Sequence, residues 1–252
     1  MASYFVSGAS RGIGFGIVSA LVAKPASQVS IVYAGARTQS EGLKKLARDN
    51  AGRVEIIPLD VNAQDSIKNA ARLVESSLGG KGLDVLLNVA GVTSNAPGGI
   101  ETVDNFTDIF ETNVTGVHNV TRALLPLLKK GEQKKVVNFS STLGSMTWAP
   151  QYSFSPCPAY KVSKAALNML TVQYAQFLSS EGFTIVALSP GWIKTEMGGS
   201  MAHLDLEVGV NASLEVIFNL KREDSGKALN IKVPGFEDSP APDHYEGGPF
   251  PW

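Results

Sequence analysis

The chain has 252 residues, 44% hydrophobic and 18% charged, a balance that lets one α/β domain bury a core without disulfides or metals. Lys and Arg total 22 against 23 Asp and Glu, a net charge of −1, which excludes a nucleic-acid surface and a polybasic membrane patch. One cysteine, Cys157, excludes an internal disulfide and fits a reducing, cytoplasmic setting. The three histidines (His118, His203, His244) show no metal-ligand spacing, so no metal is expected. The opening MASYFVSGAS lacks the pattern of a secretory signal. No apolar run reaches roughly 18 residues, so no membrane span is expected.

In chain order, Ser3–Ser7 reads as a short strand and Gly14–Ala23 as a helix. Gln28–Ala34 is a second strand, Glu41–Asn50 a helix, Val54–Leu59 a third strand and Asp65–Leu78 a helix. Leu83–Asn88 is a strand with both faces apolar. Asp104–Lys130 is a long helical stretch, expected to bend near Pro126. Lys135–Ser140 is a fifth strand, Tyr160–Ser180 a long helix and Thr184–Leu188 a sixth strand. Ala228–Val233 completes the series as an edge strand. Strands alternating with helices of this length imply parallel pairing through right-handed crossovers. The fold class is therefore α/β, a single-domain Rossmann-type doubly wound parallel sheet with helices on both faces. Residues 234–252, rich in Pro, Gly and acid, form a tail read as neither strand nor helix. It is either a flexible end or is docked by Phe236, Tyr245, Phe250 and Trp252.

Three motifs carry chemistry. Gly8-Ala9-Ser10-Arg11-Gly12-Ile13-Gly14 joins the first strand to the first helix. Glycines there permit a tight turn and close approach of backbone to a pyrophosphate, and the helix N-terminus favours the anion. The plainer alternative is a turn that merely needs glycine. The second strand runs IVYAGAR and ends in Arg37, without the carboxylate that selects NAD. Arg37 and Arg11 suit bidentate contact with a 2′-phosphate, or are solvated surface arginines. In Tyr160-Lys161-Val162-Ser163-Lys164 the phenol and the ammonium are four residues apart and share a helix face. An ammonium about 4 Å away contributes roughly 4 kcal/mol at an effective dielectric of 20. That is about three pKa units, enough to bring a phenol toward neutrality.

These motifs occur in order with Asp60-Val61, Asn88-Val89-Ala90-Gly91, Asn113, Ser140-Ser141 and Pro190-Gly191-Trp192-Ile193-Lys194-Thr195. The ordered set, over about residues 3 to 233, resembles the short-chain dehydrogenase/reductase family, with its TGxxxGxG loop and YxxxK pair. The AYKVSKAALN run, the Ser225-Gly226-Lys227 segment after the last helix and the terminal Pro251-Trp252 are similar to C-factor and sniffer-like carbonyl reductases. Fungal norsolorinic acid ketoreductases are similar too.

The resemblance implies an NADP(H)-dependent oxidoreductase acting on a small-molecule ketone or aldehyde, expected as a homo-oligomer (dimer or tetramer). Tyr160 would be the proton donor, and Lys164 would lower its pKa and bond the nicotinamide ribose. Ser141 would orient the carbonyl, and Asn113 would hold a water linking Lys164 to solvent. The cofactor set implied is Gly8, Ser10, Arg11, Gly12, Ile13, Gly14, Arg37, Tyr160 and Lys164. It continues with Asp60 and Val61 beside the adenine and Asn88, Ala90 and Gly91 lining the cleft. Pro190, Gly191, Ile193 and Thr195 would clasp the nicotinamide end. Arg122 is either a further cofactor contact or a surface arginine.

The chain departs from that pattern in three places. Val89 replaces the second Asn of NNAG, and Ser7 replaces the usual Thr while keeping its hydroxyl. The long loop GSMTWAPQYSFSPCP before Tyr160 carries Trp148, Tyr152, Phe154 and Cys157. It either walls a pocket for a bulky or aromatic ketone or packs on itself. Cys157 has no neighbouring His to activate it and reads as a bystander. Gly198–Leu206 is a candidate lid. A reading from another class is a silent dinucleotide sensor, which need not keep Asn113, Ser141, Tyr160 and Lys164 together.

Overall fold

A computed structural model describes residues 1–236, 239 and 244–252. Its centre is an eight-stranded sheet in the order β3-β2-β1-β4-β5-β6-β7-β8. The strands are β1 (Ala2–Ser7), β2 (Val29–Ala36), β3 (Val54–Pro58), β4 (Val85–Asn88), β5 (Lys135–Phe139), β6 (Thr184–Ser189), β7 (Ala228–Lys232) and β8 (Glu246–Pro249). β1 to β7 pair in parallel, and β8 alone runs antiparallel, against β7. The parallel, doubly wound fold expected from the sequence is the one observed.

Alternation along the strands splits the core. Tyr4, Val6, Leu87 and Val137 face one way and are covered by α1 (Gly12–Val22), α2 (Glu41–Asp49) and α7 (Leu206–Asn219). Phe5, Leu86, Val136 and Ile185 face the other way, under α3 (Gln64–Leu78), α5 (Gly116–Lys130) and α6 (Pro158–Phe177). A strand buried on both faces needs such near-continuous apolar runs. Strand order reverses between β1 and β4, and the crevice at their carboxyl ends is where such sheets take ligands.

Two expectations are corrected, and one helix gains its bounds. Between β6 and β7 lies α7, the helix that precedes the Ser225-Gly226-Lys227 segment. Its backbone lies close to α1: a β-carbon on Gly16 would sit 2.8 Å from Val210 Cγ2. Asp104–Lys130 is not one regular helix. α4 (Phe106–Phe110) passes into a π turn, Glu111–Thr115, before α5 begins. The irregularity lies there, and Pro126 is inside α5. The tail contains a strand, so β8 and not β7 forms that edge of the sheet.

The tail is docked over its described residues. Phe250 stacks on Trp148 with ring centroids 5.6 Å apart. The Trp252 carbonyl accepts from Thr147 N at 3.0 Å, and the Pro251 carbonyl from Ser145 Oγ at 2.6 Å. Phe236 meets Tyr245 edge to face. Residues 237, 238 and 240–243 of the tail lie outside the described residues. No helix among the described residues is long and apolar enough to cross a membrane.

Candidate active site

The glycine loop turns from β1 into α1. Gly8 has φ +72°, and a β-carbon on it would lie 2.8 Å from the Ala90 backbone. Backbone meets backbone here, so only glycine fits. Gly12 has φ +54° and faces Thr195, whose Cγ2 would be 3.6 Å from an added β-carbon. Gly14 fits against the Gly8 carbonyl oxygen, 2.2 Å from where its β-carbon would be. The first turn of α1 has no capping side chain and no acid, leaving its amides to whatever enters the crevice. The Ser7 hydroxyl accepts from the amides of Val89 and Ala90, at 3.1 and 3.2 Å, and so fixes the turn after β4.

Along the rest of the cleft, Ser10 offers its carbonyl to Ser40 Oγ, which also accepts from Leu43 N and so caps α2. Arg37 is exposed just past β2. Arg11 ion-pairs with Glu196, beyond Thr195, with both side chains about three-quarters exposed. Asp60 accepts from Asn62 N at 3.0 Å, and Val61 packs against Gly116. The Asn88 side chain is engaged within the core. It is buried between β4 and α5, donating to Thr121 Oγ1 at 3.0 Å and to Asn138 Oδ1 at 2.8 Å, with its own Oδ1 unpaired. Arg122 is exposed on α5 and acts electrostatically on His118 and Tyr174.

The reacting set sits on α6 and on the loops after β4 and β5. Pro158 opens α6, where its missing N–H costs nothing. Tyr160 is half-buried and Lys164 buried, and Lys164 Nζ lies 5.3 Å from the Tyr160 ring centroid. Lys164 Nζ donates to the Phe139 carbonyl oxygen at 2.7 Å. Ser141 Oγ accepts from Leu143 N at 3.2 Å. Asn113, fully buried in the π turn, grips Val92 twice, accepting from its N–H and donating to its carbonyl, each at 2.9 Å. Its amide also donates to Ser163 Oγ at 2.9 Å, and Ser163 donates to the Tyr160 carbonyl. A π bulge at such a point is a familiar way to re-aim a side chain. Gly91 leaves the gap between the two polar groups: a β-carbon there would be 3.3 Å from Asn113 Oδ1 and 3.8 Å from Lys164 Nζ.

The electrostatics correct the sequence argument. In the protein alone the Tyr160 phenol is pushed up, not down. Burial is the main cause, the nearby Cys157 adds to it, and a hydrogen bond from Ser141 opposes it. Lys164 is driven down to about 8, again by burial. Desolvation disfavours the charged form of each group.

The flanking loops are assigned by contact. Of the aromatics before Tyr160, Trp148 is engaged by the tail and Tyr152 is buried with its hydroxyl on Thr142. Phe154 is exposed. Cys157 is buried beside Ser155 Oγ at the start of α6. The candidate lid folds back on the β6 exit: Lys194 N donates to the Leu204 carbonyl, and Trp192 Nε1 to the Gly198 carbonyl, each at 2.8 Å. Below the lid, Pro190 and Ile193 are buried, and Gly191, at φ +81°, packs on Tyr245. Tyr245 Oη accepts the Trp192 N–H at 3.2 Å. Asn168 has no part in the sequence reading, and Tyr245 enters it only as a residue that could dock the tail. The only signal for Asn168 was its position, one turn beyond Lys164 on the same helix face.

Comparison with known proteins agrees with this geometry. The short chain dehydrogenase family matches residues 3–205. A short-chain dehydrogenase of Penicillium roqueforti (anuI) is 31% identical over 213 residues, 81% of this chain and 83% of that protein. The crystal structure of NADPH-bound carbonyl reductase from chicken fatty liver superposes with a TM-score of 0.86 at 32% identity, covering 100% of this chain and 94% of that one. The carbonyl reductase Sniffer of Drosophila melanogaster gives 0.85 at 29% identity and covers 100% of both. The likeness to sniffer-type carbonyl reductases expected from the sequence is therefore seen in the fold as well. With its glycine crevice, its Tyr–Lys pair and these relatives, the chain belongs to the short-chain dehydrogenase/reductase family.

Proposed function

We propose that this protein is an NADP(H)-dependent oxidoreductase that moves a hydride between nicotinamide and a ketone or aldehyde carbonyl. The observation that carries the reading is the convergence of Ser141, Tyr160, Lys164 and Asn113 at one end of a crevice whose backbone cradle fits a dinucleotide. NADPH, when bound, supplies the hydride. Gly8, Gly12, Ile13 and Gly14 would hold its pyrophosphate. Arg37 would meet the 2′-phosphate together with Arg11, which an exposed ion pair with Glu196 worth about 0–1 kcal/mol does little to restrain. The NADPH of the chicken carbonyl reductase supports the same cofactor here.

The chain's own residues handle the proton and the oxygen. A phenol held above its ordinary pKa stays protonated at neutral pH, so Tyr160 donates from Oη to the oxygen of the reduced carbon. Ser141, within reach of the same phenol, orients the carbonyl and bonds the developing negative charge. Lys164, near 8, exchanges a proton readily and restores the phenol, and the gap left by Gly91 gives Asn113 access to that ammonium. A sensor protein would need none of these four in register.

The test is a screen of NADPH consumption over ketones and aldehydes graded in size. The reading expects turnover with at least one carbonyl class and none with Ser141→Ala/Tyr160→Phe. An enzyme inert to every carbonyl and alcohol, with either nicotinamide cofactor, would contradict it.

A further inference from the structure

The buried face of α6 is polar where an ordinary core helix would be apolar. Lys164, Asn168 and Thr171 fall at i, i+4 and i+7, one stripe of the helix, and all are buried. Each is tied to β5 or to the turn that follows it. Lys164 Nζ donates to the Phe139 carbonyl at 2.7 Å. Thr171 Oγ1 accepts from Asn138 at 2.9 Å. Asn168 makes two bonds: its Oδ1 accepts from Ser140 Oγ at 2.6 Å, and its Nδ2 donates to the Gly144 carbonyl at 3.4 Å.

Those two partners bracket Ser141. Ser140 precedes it, and Gly144 ends the 3₁₀ turn Thr142–Gly144, whose Leu143 amide Ser141 Oγ caps. The turn presses onto the helix: a β-carbon at Gly144 would come within 2.8 Å of the Lys164 carbonyl carbon and Cβ. Ser141 follows β5 and the Tyr160–Lys164 pair lies on α6, with the loop before Pro158 between them. Asn168 is the side chain that fastens one element to the other at both ends of the turn.

We propose that Asn168 is a positioning residue for carbonyl reduction, holding the Ser141 turn in register with Tyr160 and Lys164 through Ser140 and Gly144. This rests on the reading of Ser141, Tyr160 and Lys164 as the reacting set. Asn168 touches neither substrate nor cofactor. Its effect is geometric, and loss of the tie lets Ser141 drift from the phenol.

The test compares Asn168→Leu, Ser140→Ala and the double variant, with Tyr160→Phe alongside. Leucine keeps the branching and heavy-atom count of asparagine and removes both bonds, while Ser140→Ala removes one hydroxyl and keeps the helix untouched. A displaced catalytic group costs up to about a hundredfold in rate. The expected result is a fall in kcat of about ten- to a hundredfold for Asn168→Leu, with the KM for NADPH within about twofold of the parent. Ser140→Ala gives a smaller fall of the same kind, and the double variant falls no further than Asn168→Leu, because the two residues act as one unit. Additive losses, or a rise in the KM for NADPH matching the loss in kcat, would overturn the proposal. If Asn168→Leu does not fold, an unchanged kcat in Ser140→Ala does the same. Should Tyr160→Phe keep full activity, it is the reading of the reacting set that fails, not the role of Asn168 in particular.

Discussion

Lys164 Nζ bonds the Phe139 carbonyl oxygen at 2.7 Å while standing 5.3 Å from the centre of the Tyr160 ring. The ammonium is anchored to the sheet, not to the phenol. Burial lowers its pKa from an ordinary 10.5 to about 8. The phenol is displaced upward by the same cause. The pair is thus poised with the phenol protonated and the lysine still charged at pH 7 but able to lose its proton near pH 8.

That poise has a consequence for stability. A lysine with a lowered folded-state pKa binds its proton less well folded than unfolded. Below about pH 8 it is charged in both states, so the full penalty is present. Between about 8 and 10.5 the unfolded chain binds more protons, and stability rises with pH until the penalty is gone. Lys164→Met is therefore expected to be more stable than the parent at pH 7 by about 1–3 kcal/mol. The upper figure is reduced by the bond that Phe139 loses. The gap closes as pH climbs past 10. Denaturant melts of both proteins at several pH values check it, and a gap independent of pH would contradict the assignment.

Gly8 carries the close approach between the first turn and Ala90. Gly8→Ala would force a side chain into φ +72° and a β-carbon to 2.8 Å from backbone. A loss of about 2–4 kcal/mol is expected, with weaker NADPH binding as the crevice opens. Thermal unfolding and a cofactor titration measure the two effects. An alanine variant with unchanged Tm and affinity would show that the loop is not held as described.

Arg37 stands exposed past the end of β2, where a carboxylate would select NAD. Arg37→Asp is expected to lower the preference for NADPH over NADH by about tenfold or more, since a charge-assisted bond to phosphate is worth about 1.5–3 kcal/mol. The ratio of kcat/KM for the two cofactors is the readout. An unchanged ratio would remove Arg37 from the 2′-phosphate site.

The sheet and the glycine crevice were legible in the sequence because both are local patterns. Short apolar strands alternate with helices, and Gly8, Gly12 and Gly14 mark a turn whose geometry leaves no alternative. What was missed depends on tertiary contact. α7 carries Gly209, Val208 and Val210 in a run of poor helix formers, and its packing against α1 and Ile193 holds it in shape. β8, Glu-Gly-Gly-Pro, has no strand propensity of its own and exists by pairing with β7. The Asn88 side chain ties β4 to Thr121 and Asn138 through its amide N–H groups, a long-range contact that no local pattern reveals. Arg122 lies on α5, where its charge acts on His118. The pKa of Tyr160 was misjudged because charge separation can be read from spacing, but burial cannot.

The central claim is that Tyr160 gives the proton that completes reduction. Tyr160→Phe removes one oxygen and keeps the ring, so it isolates that step. NADPH binding by fluorescence titration and single-turnover oxidation of NADPH with a reducible ketone, run on both proteins, separate affinity from chemistry. The account predicts affinity within about twofold and a rate lowered by about 10³. A variant that binds NADPH normally and reduces the ketone at the parent's rate would contradict it.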